Sequence, residues 1–281
     1  MPRLRALEPS LRALIDRGVR ESPTFRALAT RLEQSDLIVS LMDEASASPG
    51  IAGAAGSRHF SQAFDNERVA ATSIHAPGVV WLRRYLTLAE QQALVLRCRA
   101  IMDGPSGGYV PTVRGGGRMR VRMVCLGRHW NPLTYRYEGT RADYDNVPVP
   151  PVPDDLAALA SRIAAEAGFR FQPGWKPDIC LINWYGPDGR MGLHQDKDES
   201  RASIDAGLPV VSISLGDTAR FLLGGLRRRD PVEPMLLESG DAFVFGGPAR
   251  LRYHGVSRII PGTAPRELAV DGRFNLTFRQ Y

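Results

Sequence analysis

The chain has 281 residues and 43% apolar composition, enough to bury one large domain or a domain with an appendage. Its three cysteines, Cys98, Cys125 and Cys180, are odd in number and lack metal-type spacing, which points to reduced thiols; no apolar run nears the roughly 18 residues of a membrane span, so a soluble, cytoplasmic protein is expected. The net charge of +6 suits an anionic partner such as nucleic acid, although the basic residues are nearly all arginine (Lys176 and Lys197 excepted), as codon bias would also produce.

In chain order, residues 1–73 read as an extension of unknown role, partly flexible. Leu4, Leu7, Leu11, Leu14 and Ile15 share a helical face, residues 25–42 read as a second helix, and 45–56, mostly Ala, Gly and Ser, as a linker. The amino-terminal stretch includes Glu8 and Asp16 and lacks a hydrophobic signal core. Thr87-Leu88-Ala89-Glu90 is a capping box that opens a helix running to about Met102. Residues 110–137 are rich in glycine, arginine and aromatics. There Arg118, Arg120 and Arg122 alternate with Met119, Val121 and Met123, placing three guanidinium groups on one face of a strand; a charged, solvent-facing edge accounts for them equally well. A second helix is predicted over 154–167, preceded by proline and stopped by Gly168. From Asp178 onward short strands and turn signals dominate. Asn183 and Tyr185 share a strand face before the turn at 186–189, and 236–245 reads as a hairpin.

Two segments carry chemistry. In His194-Gln195-Asp196, positions i and i+2 of a strand point the same way, so the histidine and the carboxylate can share one metal. His254 is the only histidine downstream and would complete a face of two histidines and one carboxylate, the ligand set of non-haem Fe(II) oxygenases. A zinc hydrolase could use the same ligands, but no general base is evident. The segment Arg273–Arg279 alternates strictly, with Phe274, Leu276 and Phe278 on one face and Arg273, Asn275, Thr277 and Arg279 on the other. Either the arginines face solvent, or the polar face lines a pocket and grips an acid, for which paired guanidinium–carboxylate bonds are suited. An interior arginine lacking its anion is costly, so such a pocket would depend on its ligand.

Taken together, Leu181–Tyr185, Leu193–Glu199, Val211–Gly216, Gly224-Gly225-Leu226, Gly240-Asp241, Tyr253-His254-Gly255 and Arg273–Gln280 resemble the AlkB family of iron- and 2-oxoglutarate-dependent dioxygenases. The resemblance runs from near His75 to Tyr281 and is strongest to the bacterial DNA-repair members. It implies a catalytic domain over 74–281, mainly β with flanking helices: a double-stranded β-helix, or jelly-roll, under a nucleotide-recognition lid. His194, Asp196 and His254 would hold Fe(II). Arg273 with Tyr185 would take the distal carboxylate of 2-oxoglutarate, while Arg279, Asn275 and Asn183 would hold the end near the metal or orient the groups that do. Trp130 and Tyr135 would sandwich the flipped base and contact its phosphate; Arg190, Asp198 and Arg228 would complete the substrate contacts.

The implied reaction uses O2 to dealkylate bases of the 1-methyladenine or 3-methylcytosine type in single- or double-stranded DNA, releasing succinate, CO2 and formaldehyde. The alternatives are the same chemistry on RNA, protein or a small molecule, or a catalytically dead nucleic-acid-binding module. A monomer is expected. The lid segments 128–131 and 135–137 follow the family pattern only loosely, and Arg190 stands where lysine is common. His59, His75 and His129 match no ligand position.

Overall fold

The computed structural model describes residues 71–171 and 174–281; the helices and linker expected upstream lie outside the described residues. The strands are β1 (Ala71–Ala76), β2 (Val79–Arg83), β3 (Arg122–Leu126), β4 (His129–Asn131), β5 (Arg136–Glu138), β6 (Ile179–Tyr185) and β7 (Met191–His194). They continue with β8 (Val210–Gly216), β9 (Thr218–Leu223), β10 (Glu233–Leu237), β11 (Ala242–Phe245), β12 (His254–Ile260) and β13 (Arg273–Arg279). Helices are α1 (Leu88–Met102), α2 (Asp154–Glu166) and the short α3 (Arg201–Asp205).

Two antiparallel sheets make the roll. The larger runs β1-β2-β11-β8-β13-β6-β3 and the smaller β10-β9-β12-β7, while β4 and β5 pair separately. One apolar core lies between the larger sheet and the helices, where Val95, Cys98, Leu156 and Ile163 meet Ile182, Ile213, Leu276 and Phe278. A second fills the space between the sheets, with Trp81, Phe221, Leu223, Phe243 and Val256. β13 has both faces covered. Phe274, Leu276 and Phe278 belong to the helix-side core, so the alternate residues, arginines included, point into the roll.

Both long helices form where local signals place them. Thr87 accepts from the Glu90 amide, and the Glu90 side chain accepts from the Thr87 amide, closing the capping box. α2 follows Pro153 and ends before Gly168, whose φ of 87° suits glycine. The hairpin expected over 236–245 is a correction: β10 pairs with β9 in the smaller sheet, whereas β11 lies between β2 and β8 in the larger. The turn between them is a corner joining the sheets, and buried Asp241 holds it. Its carboxylate accepts from Trp81 Nε1 at 3.0 Å, the Arg84 amide at 2.9 Å and the Glu238 amide at 2.9 Å. Those bonds to β2 and its flank draw the chain out of the smaller sheet, which turn residues alone do not reveal.

Candidate metal and co-substrate site

β7 and β12 are neighbours in the smaller sheet, and their register sets His194 opposite His254, with ring centroids 4.4 Å apart. In each ring Nδ1 lies against a carbonyl two residues earlier, Gly192 at 2.9 Å and Arg252 at 3.1 Å. A carbonyl only accepts, so Nδ1 carries the proton and Nε2 presents its lone pair. Both Nε2 atoms face Asp196, 3.8 Å from Oδ1 for His194 and 3.6 Å from Oδ2 for His254. One ligating atom from each of the three residues lies within 4.8 Å of the others.

Asp196 reaches this point differently from the strand expectation. β7 ends at His194, and Asp196 lies in the following loop. Two crossed bonds replace the ladder: Gln195 Nε2 donates to the Leu251 carbonyl at 2.6 Å, and Arg250 Nη1 donates to the Asp196 carbonyl. Burial alone would raise the Asp196 pKa, but Arg279, then His254 and His194, override it and hold the carboxyl well below the usual range. Arg279 Nη2 sits 2.7 Å from Oδ1, while Oδ2 is buried with no hydrogen-bond partner. His254 is pushed down to about 4 by burial and by His194, so its ring is neutral near pH 7. An ionised, unpartnered oxygen converging with two imidazole lone pairs is a donor set for a cation, and two nitrogens with one oxygen on one face fit Fe(II) with open positions.

The co-substrate end shows a complementary imbalance. Arg273 is 1% exposed, and its guanidinium donates to the carbonyls of Asp217 at 3.3 Å and Leu237 at 3.1 Å and to Ser214 Oγ at 2.6 Å. Among the described residues it has no ion-pair partner, and burial pushes its pKa down to about 10. The nearby carboxylate of Asp241 is already engaged by three donors. Tyr185 lies opposite Arg273 in the β6–β13 register, and Asn183 lies opposite Asn275. The Tyr185 hydroxyl has only a 3.8 Å contact to Met191 sulfur, and the Asn183 carbonyl oxygen is buried without a partner. Asn275 Nδ2 donates to Ser212 Oγ at 2.8 Å. Cation, hydroxyl and amide lie along one wall of a cavity of about 340 Å³ that also holds His194, Asp196 and His254. Arg273 is a buried positive charge on the wall of that cavity.

The model of the 2OG-Fe(II) oxygenase superfamily matches residues 78–279. The alpha-ketoglutarate-dependent dioxygenase AlkB of Escherichia coli is 41% identical over 210 residues, covering 73% of this chain and 91% of that protein. The chain belongs to the AlkB family of 2OG-Fe(II) oxygenases. The family's description names Fe(II) and 2-oxoglutarate, and the name of the Escherichia coli relative includes alpha-ketoglutarate. DNA N(6)-methyladenine demethylase ALKBH1C of Arabidopsis thaliana is 42% identical over 222 residues, 73% of this chain and 49% of that protein. The chain therefore spans about half the length of such plant relatives. The solved structure of OsALKBH1 superposes with a TM-score of 0.69 at 40% identity, over 75% of this chain and 100% of the other. The mainly β jelly-roll of the AlkB family is the fold observed here.

At the mouth of this AlkB-family cavity, Trp130 on β4 donates from Nε1 to Asp198 Oδ2 at 2.8 Å and meets Tyr135 edge-on at 6.1 Å. Tyr135 is 47% exposed, and Arg228 donates to the Leu193 carbonyl at 2.9 Å. All four side chains line the cavity, whereas Arg190 is exposed outside it, its backbone bridged to Arg120. The alternation at 118–123 holds, with the arginines outward and Met119 and Met123 toward the cavity. Arg122 instead closes the end of α1, donating to the Met102 carbonyl at 3.0 Å and the Gly108 carbonyl at 2.9 Å.

Glu199, Arg250 and His129 carry no role in the sequence pattern, yet all three are buried, the first two beside the site. His129 Nε2 lies 2.5 Å from Asp143 Oδ1, and Tyr109 donates to Asp143 Oδ2 at 2.9 Å, pinning β4 from beneath. No periodicity marks such residues, and Glu199 stands in the charged run Asp196-Lys197-Asp198-Glu199, where nothing local sets it apart.

Proposed function

We propose that residues 74–281 form the catalytic domain of an oxidative dealkylase acting on nucleic-acid bases. The observation that carries this reading is one cavity uniting the two-histidine, one-carboxylate set, an unpaired buried arginine and an aromatic mouth edged by basic residues. The names of the relatives supply the substrate class: DNA N(6)-methyladenine demethylase for ALKBH1C and nucleic acid dioxygenase for mouse ALKBH1.

His194, Asp196 and His254 would hold the iron. When bound with 2-oxoglutarate and dioxygen, the iron would supply the oxidation that hydroxylates an N-methyl carbon; the hydroxymethyl adduct would release formaldehyde, and 2-oxoglutarate would leave as succinate and CO2. Arg273 and Tyr185 bind the distal carboxylate, Asn183 and Asn275 orient the co-substrate chain, and Arg279 fixes Asp196. Trp130 stacks on a base that has left the duplex stack, worth roughly 1–3 kcal/mol for the base, and Tyr135 contacts its phosphate. Asp198 fixes the Trp130 indole and offers its second oxygen to the base, while Arg228 and Arg190 approach the phosphates. The protein works as a cytoplasmic monomer. The substrate is alkylated DNA of the 1-methyladenine or 3-methylcytosine type; N(6)-methyladenine is the second reading, favoured by the plant relatives' names.

The test is to incubate Fe(II)-loaded protein with 2-oxoglutarate, oxygen and oligonucleotides bearing each lesion in DNA and in RNA, measuring succinate and restored base. Both products, lost together in His194→Ala, are expected with 1-methyladenine DNA. Succinate without repair of any base would overturn the substrate class and leave the oxygenase standing.

A further inference from the structure

We propose that the buried Arg250–Glu199 ion pair is a positioning device that presents Asp196 to the metal through one oxygen only. This rests on the assignment of His194, Asp196 and His254 as ligands. Glu199 follows Asp196 by three positions, and Arg250 precedes His254 by four, so the pair joins the two loops that carry the ligand set. Arg250 Nη2 donates to Glu199 Oε2 at 2.9 Å, and the side chains are 4% and 1% exposed. The same guanidinium holds the Asp196 backbone carbonyl, and the Gln195–Leu251 bond crosses between the same loops.

The second Glu199 oxygen lies 3.2 Å from Arg279 Nε, and Arg279 Nη2 in turn occupies Asp196 Oδ1 at 2.7 Å. Asp196 is therefore held twice, at its carbonyl by Arg250 and at Oδ1 by Arg279, and Glu199 accepts from the first guanidinium and pairs its charge with the second. Only Oδ2 remains free. Two carboxylates and two guanidinium groups cancel, so the ligand loop is already charge-balanced before any ion arrives. A carboxylate limited to one oxygen leaves three positions of an octahedral ion unclaimed, as the co-substrates require. Partners of this outer kind typically contribute about 10–100-fold to metal affinity.

The test uses the full chain and Mn(II) as probe. Because removing one member of a buried pair can unfold the protein, the principal variant is the double exchange Glu199→Leu/Arg250→Met, which removes both charges at similar volume. Its far-UV circular dichroism and cooperative melt should match wild type. Its Mn(II) dissociation constant should rise about 10–100-fold, and the electron paramagnetic resonance spectrum of the bound ion should change shape. Arg250→Lys keeps the charge but lacks the fork that serves two acceptors, and should recover part of the affinity. A folded double variant with wild-type affinity and spectrum overturns the proposal. Should the double variant fail to fold, unchanged Mn(II) binding by Arg250→Lys overturns it instead. His254→Ala separates the two claims: if it binds Mn(II) as tightly as wild type, the ligand assignment falls and the positioning role with it.

Discussion

Arg273 shows how one side chain can declare a ligand. A buried guanidinium satisfied only by carbonyls and a hydroxyl carries its charge uncompensated, at a cost that a bound carboxylate offsets. Two charge-assisted bonds at about 1.5–3 kcal/mol each mean that Arg273→Met should weaken 2-oxoglutarate binding by about 100-fold or more. Calorimetric titration of the metal-loaded protein measures this, and the thermal shift that 2-oxoglutarate gives wild type should vanish in the variant. Much of this residue-level chemistry was legible in the sequence, because alternation in β13 separates Arg273 from Phe274 without knowledge of neighbours. Arg279 was legible as a pocket residue, yet its bond to Asp196 runs from β13 to the loop after β7 and leaves no local pattern. Glu199 and Arg250 were silent for the same reason: they lie 51 residues apart, and neither follows a period.

At the scale of elements, the lid strand β4 depends on what lies beneath it. His129 and Asp143 are buried, and Tyr109 closes the group. Replacing His129 with leucine leaves the carboxylate short of a partner, costing roughly 1–3 kcal/mol. The melting temperature should fall by about 2–4 °C for each kcal/mol, and base oxidation should fall further than succinate formation measured without nucleic acid. Trp130→Ala should show the second effect without the first, since its indole packs at the cavity mouth; a large loss of stability there would mark it as core. The helix boundaries were readable because capping is local. The destination of β10 and β11 was not, because a four-residue turn looks alike whether it closes a hairpin or crosses between sheets.

Across the whole molecule, the three thiols report on integrity. Cys98 and Cys125 are each pushed up to about 12 by burial, and Cys180 is raised as well. The folded state keeps these protons at pH values where the unfolded state loses them. Their contribution is therefore intact below about pH 9 and lost as pH climbs from about 9 toward 12. Native protein at pH 8 should resist an aromatic disulfide reagent, with all three thiols reacting after unfolding; rapid labelling of the native state would contradict their burial.

Tyr137, on lid strand β5, accepts from Arg279 Nη1 at 3.3 Å and donates to Glu199 at 3.4 Å. Lid strand β5 and the Asp196 carboxylate thus share one hydrogen-bonded chain, and with the proposed roles of Asp196 and the lid the binding of metal and of base is expected to be coupled. Linkage requires that whatever factor the nucleic acid adds to metal affinity, the metal adds to nucleic-acid affinity. A Mn(II) titration with and without oligonucleotide should give a lower dissociation constant in its presence, and Tyr137→Phe should bring the two values together. The order in which iron and base arrive would then change the path to the loaded complex but not its stability.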